Sequence, residues 1–452
     1  MDQTNPKTVM TQEMLNQFRM SFESDPVNKL AQNAVTRVSV HTVALNHDAA
    51  TGIDHTFSVM LPSNEATAQE KSGRCWLFSG LNTFRTEAMK RLDVDKFELS
   101  QNYLMFWDKL EKASYFLESI LATLSEPVDG RLLMHLLGSP LQDGGQWDMF
   151  CALVTKYGVV PKTVMPETDS SSNTRDMNDV ITAKLREYAA ELRRTAASGD
   201  DEDVLRSRKE MMMNVIFRML ATHLGTPPVE FFWQWRDKGG TFHRDGDITP
   251  QDFFGRYVGV DLENKVCLIN CPTPDKPMNH LYTISYLGNV IEAKGIRYLN
   301  TPIEAFKQAA IDMLVAGRPV WFGCDVGKFE EKDLGILDPS IFEYDLVYGE
   351  GLISDKAERI LYGQSAMTHA MVLTGVDLDG DGHARKWRVE NSWGDKLGDK
   401  GFFVMTDAWF DEYVYEVAVS RDYLSADLIS VLGEEPTVLP PWDPMGALAA
   451  AC

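Results

Sequence analysis

Cys75 stands in the stretch QEKSGRCWLFSG, Gln69 to Gly80, against a Trp and just behind a Gly-Arg pair. A cysteine is a poor nucleophile at neutral pH because most of it is thiol. A helix N-terminus and a nearby imidazolium are the surroundings that hold it as thiolate. The spacing predicts the first of these: Leu77, Leu81, Phe84 and Ala88 line one face of a helix. Ser72 or Gly73 is placed to cap it, and either choice leaves Cys75 in the first turn. Gln69 lies six residues earlier. Its side-chain NH₂ could join the Cys75 backbone N–H as an oxyanion hole, the paired donors that stabilise charge developing on an amide oxygen under attack.

The imidazole can come from His369. Downstream of it, DLDGDGHARKWR, Asp377 to Arg388, resembles the opening of a calcium-binding loop, but its twelfth position is Arg388 where a bidentate Glu is required. A hairpin turn is the simpler reading, because Asp-Gly dipeptides supply the positive φ of tight turns. Centred near Gly380, that hairpin pairs positions whose numbers total about 760, which sets His369 opposite Asn391 on one face of the sheet. An amide there can fix the ring so that one nitrogen faces the sulfur. The set is Cys-His-Asn.

The elements that must position these groups are legible in outline. Residues 10–24 have helical spacing and form an N-terminal arm or cap. Between about residues 170 and 228, two helical runs joined by the acidic loop ASGDDED read as an inserted hairpin. The triple Met at 211–213 reads as core packing. Beyond Cys267 the chain turns to short β-rich runs, KVCLIN, LYTISYL, PVWFGCDV and AMVLTGVDL, broken by the helical piece IEAFKQAAIDMLVAG. The layout is α+β.

Composition bounds the rest. The chain has 452 residues, 44% hydrophobic and 24% charged, long enough for a large core. Its net charge of −22 repels polyanions and argues against nucleic acid as a partner. No apolar run reaches the roughly 18 residues of a membrane span. The polar N-terminus lacks a secretory layout, so the expectation is a cytoplasmic protein. Six cysteines are too few for a disulfide framework, and Cys267 with Cys271 lacks the second ligand pair of a zinc site. No metal and no cofactor are implied.

Taken in order, QEKSGRCWLF, DGGQWDMF from Asp143, MTHAMVLTGVD from Met367, VENSWGD from Val389 and PWDPMGALA from Pro441 resemble the bleomycin hydrolase and aminopeptidase C family of papain-like cysteine peptidases. The resemblance implies a papain-like fold with a helical insertion and N- and C-terminal arms. On that reading residues 1–60 form the arm and cap, and 61–169 the helical half with Cys75. Residues 170–260 form the inserted helical subdomain, 261–435 the β-rich half with His369 and Asn391, and 436–452 a C-terminal arm reaching toward the active site. It implies Cys75 as nucleophile, His369 as general base and acid, Asn391 as orienter and Gln69 as oxyanion donor. Gly144 and Gly145 match a glycine pair whose backbone runs beside the substrate, and Trp393 the indole that shields the His–Asn bond from water. Trp76 is read as packing, and Arg74 and Lys71 as solvated charges.

The resemblance further implies a cytosolic aminopeptidase acting on peptides with a free N-terminus, assembled as a homohexameric ring. In such enzymes the C-terminal carboxylate meets the substrate ammonium. Here Ala450, Ala451 and Cys452 extend past the point where the family usually stops, so the last residues are expected to be trimmed or the arm to bow outward. If the arm leaves the cleft open, the same triad makes an endopeptidase or dipeptidase. A non-catalytic binding ring is the alternative of another class.

Overall fold

The computed structural model describes residues 9–62 and 65–450. Six strands form the centre of the main sheet: Lys265–Ile269, Val414–Ser420, Val320–Cys324, His369–Leu378, Ala384–Glu390 and Phe402–Thr406, each antiparallel to the next. Val320–Cys324 and Val414–Ser420 are buried along their whole length, which is why they read as continuous apolar runs rather than alternating ones. Successive side chains nevertheless go to opposite layers. Trp321, Ala370 and Ala418 join the core on the helical side, whereas Phe322, Met371 and Val417 pack under the helix Ile303–Val315 on the other.

The helical side is built around Cys75–Leu92, whose residues 75–82 are all buried. The expected apolar face is there, but the first two turns are enclosed on every side. Gly80 permits a close approach: a Cβ there would lie 2.7 Å from the Phe150 ring of the neighbouring helix Trp147–Tyr157. Gln101–Ala122 lies alongside, started by Ser100, whose hydroxyl accepts from the Tyr103 amide.

The two helices expected between about residues 170 and 228 are Arg175–Ala197 and Glu202–Leu224. Of the three consecutive methionines only Met212 is buried, while Met211 is 64% exposed. Neighbouring helical residues point about 100° apart, so three in a row cannot share one core. A two-stranded hairpin follows, Phe231–Arg236 with Phe242–Ile248, announced by the alternation of buried Phe231 and Trp233 with exposed Phe232 and Gln234.

At the N-terminus the expected helix is Gln12–Ser24, followed by Pro26–Val35, Val40–Ala44 and His47–Gly52. At the other end Thr437–Leu439 adds a parallel strand beside His280–Ile284. The chain then turns inward to Ala449, which is fully buried.

Candidate active site

Cys75 is the first residue of its helix and is fully buried. The residue at the cap is Arg74, with no capping side chain. Neither Ser72 nor Gly73 fills that role, because both are engaged in the loop itself. Ser72 Oγ donates to the Gln69 carbonyl at 2.6 Å and accepts from Arg74 Nε at 2.8 Å; the Gly73 amide donates to Asp143 Oδ2 at 2.9 Å. No side chain of the cap residue itself closes the helix, and Cys75 sits at its positive end.

Arg74 corrects the expectation of a solvated charge. It is 1% exposed, its Nη2 sits 2.8 Å from Glu167 Oε2, and its guanidinium lies 5.0 Å from the Phe78 ring centroid. A buried cation is tolerated when it is paired and its donors are used, and Glu167 supplies that pairing from a distant segment. Lys71 is exposed, as expected.

His369 opens its strand and Asn391 follows the next one. His369 Nε2 and Asn391 Oδ1 are 2.9 Å apart. Asn391 Oδ1 also accepts from the Ser392 amide at 2.8 Å, which locks the side chain. The route to this contact differs from the expected register. The turn is Asp379–His383, closed by the Asp379 amide on the His383 carbonyl at 2.9 Å, with Gly382 at φ +89°. Its centre is one residue later than Gly380. Val372 therefore pairs with Glu390 and Leu373 with Val389, and continuing that ladder sets His369 across from Trp393, with Asn391 as its diagonal neighbour. Diagonal positions on one face are within reach of a long side chain, so the hydrogen bond forms despite the shift. The imidazole and the Trp393 ring are stacked at 4.8 Å.

Gln69 is fixed from two directions. Its Nε2 donates to the Ser72 carbonyl at 2.6 Å, its Oε1 accepts from Ser392 Oγ at 2.6 Å, and its backbone amide donates to the Ser392 carbonyl at 2.8 Å. Ser392 thus orients the residues on both sides of the cleft, Asn391 and Gln69. Its position beside Asn391 was visible in the sequence, but nothing there linked it to Gln69.

Gly144 and Gly145 are small for different reasons. A Cβ on Gly145 would run into the Trp76 indole, whose Nε1 donates to the Asp143 carbonyl at 2.7 Å. A Cβ on Gly144 would lie 2.8 Å from Ala450 Cβ and 2.9 Å from Leu448 Cβ. The neighbour on that side is the chain's own C-terminal arm. Gly145 and Ala449 exchange both backbone hydrogen bonds at 3.3 Å, the Ala450 amide donates to the Thr368 carbonyl at 2.8 Å, and Gln146 Nε2 donates to the Ala447 carbonyl. The arm is bridged to Gly145 at Ala449 and lies against Gly73 and Gly144 at Ala450, so the outward bow is not adopted up to Ala450. Ala451 and Cys452, on which the trimming expectation also falls, lie outside the described residues.

Elsewhere, Cys267 Sγ donates to Asp148 Oδ1 at 3.7 Å and Cys271 Sγ lies 3.5 Å from Thr273 Oγ1. Among the described residues no cluster of three His, Cys, Asp or Glu is placed to hold a metal ion. No described helix is long and apolar enough to cross a membrane.

The Peptidase C1-like family matches this chain over residues 9–446. Among curated relatives, Aminopeptidase C of Listeria monocytogenes serovar 1/2a is 44% identical over 443 residues, 98% of this chain and 100% of the relative. Bleomycin hydrolase of Gallus gallus is 44% identical over 441 residues, 96% of this chain and 97% of the relative. Among solved structures, PepW from Lactobacillus rhamnosis HN001 superposes with a TM-score of 0.96 at 46% identity, covering 98% of this chain and all of that one.

Proposed function

Because this chain belongs to the Peptidase C1-like family, we propose that it is a cysteine aminopeptidase that removes N-terminal residues from short peptides through an acyl-enzyme on Cys75. The observation that carries the choice of substrate end is the Ala449–Gly145 pairing. Through that bridge the arm is held beside Gly144 and Gly145, with Ala450 against Gly73 two residues before Cys75. A peptide seated beyond it in the same direction presents its N-terminus to the arm, where a carboxylate attracts an ammonium and excludes a longer chain.

The chemistry follows from the groups present. The Cys75 sulfur, deprotonated with His369 as acceptor, attacks the carbonyl carbon and forms a C–S bond. The oxygen takes up negative charge against the Gln69 NH₂ and the Cys75 N–H. As the C–N bond breaks, the imidazolium gives its proton to the leaving amine. Water, losing a proton to His369, then attacks the thioester, and the cleaved residue leaves as its carboxylate with the thiol restored. Asn391 keeps the ring in one orientation throughout, Trp393 covers that bond, and Gly144 and Gly145 leave room for the substrate backbone.

The Ala450 carbonyl lies 2.6 Å from where a Gly73 Cβ would stand, so Ala450 already reaches the loop next to the nucleophile. This supports trimming of the last residues in the active enzyme. The cytoplasmic reading fits five described cysteines that no disulfide joins, and the homohexamer is the assembly implied by the family resemblance. Light scattering checks the latter; a monomer contradicts it.

The test of function uses aminoacyl-coumarin amides with free and N-acetylated amino groups. Hydrolysis of the free substrates alone, abolished in Cys75→Ser, is the expected result. Equal turnover of the blocked substrates makes the enzyme an endopeptidase, and turnover unchanged by Cys75→Ser removes the nucleophile.

A further inference from the structure

We propose that Asp143 is a positioning residue for the loop ahead of Cys75, and that through it the segment entering the inserted helical pair sets the oxyanion donors. This rests on the peptidase reading and adds to it a role for residues remote from the reacting atoms.

Residues 69–74 carry Gln69 and lead directly into Cys75, yet they have no regular structure beyond isolated bridges. They are tied to a second stretch, 167–178, which spans the short helix Asp169–Ser172 and the start of Arg175–Ala197. The Lys71 amide donates to the Ser172 carbonyl at 2.9 Å, and the Thr174 amide to the Lys71 carbonyl at 3.3 Å. Arg74 is paired with Glu167. The third tie runs through Asp143. Its Oδ2 accepts from the Gly73 amide at 2.9 Å and from Thr174 Oγ1 at 2.5 Å; its Oδ1 accepts from Asn178 Nδ2 at 2.7 Å and Lys109 Nζ at 2.6 Å.

One carboxylate thus receives four donors from four separate places: the nucleophile loop, the cap of an inserted helix, the first turn of that helix, and the helix Gln101–Ala122. Lys109 is itself buried, so the pair is shielded from solvent screening. Burial alone would raise the Asp143 pKa, but Lys109, Thr174 and Asn178 outweigh it and hold the carboxyl well below its usual range. The group is an anion at working pH, and its charge-assisted bonds are the strong kind. Its backbone carbonyl holds the Trp76 indole under Gly145. Asp143 therefore fixes the loop on one side of the reacting carbonyl and the substrate-side strand on the other. Gln69 is held by Ser392 on one side and through its Nε2 by the loop's Ser72 carbonyl on the other, and the Cys75 amide follows the loop directly, whereas the thiolate–imidazolium pair depends on the helix and the sheet. Oxyanion stabilisation is sensitive to donor placement, so loosening this tie affects turnover more than thiol reactivity.

The experiment compares peptide turnover with alkylation of Cys75 by iodoacetamide, which needs the thiolate but no oxyanion hole. Asp143→Asn leaves Lys109 buried without its counter-charge, so Asp143→Asn/Lys109→Met is made beside it. Thr174→Val/Asn178→Ala keeps the ion pair and removes only the insertion's donors. The expected result is a kcat lower by tenfold or more in the first double variant and by threefold or more in the second. KM and the alkylation rate stay within twofold of wild type. Unchanged kcat in folded variants, a parallel fall of kcat and alkylation, or failure of both double variants to fold would overturn the proposal. A wild-type chain without peptide turnover would instead end the peptidase reading, and this inference with it.

Discussion

The Ser79 hydroxyl donates to the carbonyl oxygen of Ala370 at 2.9 Å, and both residues are buried. Ser79 is one turn along the helix from Cys75, and Ala370 is the residue after His369, so this bond sets the two chain segments side by side at the proposed site. A second tie runs next to it, from Trp321 Nε1 to the Trp76 carbonyl at 3.2 Å. The packing of the helical half on the sheet thus brings together the segments that carry Cys75 and His369. Both contacts join a residue before the helices Arg175–Ala197 and Glu202–Leu224 to one after them in the chain.

Asn391→Ala removes the acceptor for His369 Nε2 and leaves the ring to rotate against Trp393. The positioned proton transfers depend on that ring, so kcat/KM is expected to fall roughly 100-fold with little change in thermal stability. Steady-state kinetics on a free aminoacyl substrate check this, and a loss below threefold would remove Asn391 as orienter.

Gln69→Ala deletes the proposed oxyanion donor and leaves Cys75 and His369 in place. Loss of such a donor costs about 10²–10³ in kcat, and KM is expected to stay near wild type. An effect confined to KM would assign Gln69 to substrate binding instead.

How far the sequence reached depended on the distance over which each contact acts. The position of Cys75 at a helix start and the turn between His369 and Asn391 are local, and both were readable from spacing. The turn was misplaced by one residue because the Asp-Gly repeat offers two nearby centres, and side-chain reach absorbed the error. Arg74 was misread because its partner Glu167 lies 93 positions away. Asp143 lies 70 positions from Gly73 and Ser392 323 from Gln69. Pairings of that range carry no periodicity and need the packed fold to be seen.

Glu416 gives a pH test of the sheet that carries His369. It is buried beside Asp148 and Cys267, and burial first, then the Asp148 charge, push its carboxyl up to about 8. The folded chain therefore holds a proton that the unfolded chain releases near pH 4.5, so stability contributed by this group falls as pH rises from about 4.5 to 8. Glu416→Gln cannot ionise. Its Tm is expected to exceed that of wild type by a few degrees above pH 8, with the gap closing toward pH 5. Equal melting curves across this range would show that the carboxyl ionises without cost.

The most direct measurement is the pH dependence of Cys75 alkylation by iodoacetamide, with the labelled residue located by peptide mass, in wild type and in His369→Ala. An ordinary thiol reacts in step with a pKa of roughly 8.5. The account predicts that wild-type Cys75 alkylates rapidly down to about pH 6 and that His369→Ala shifts the profile up by one pH unit or more. Superimposable profiles near the ordinary thiol value, or labelling that falls on another cysteine, would contradict it.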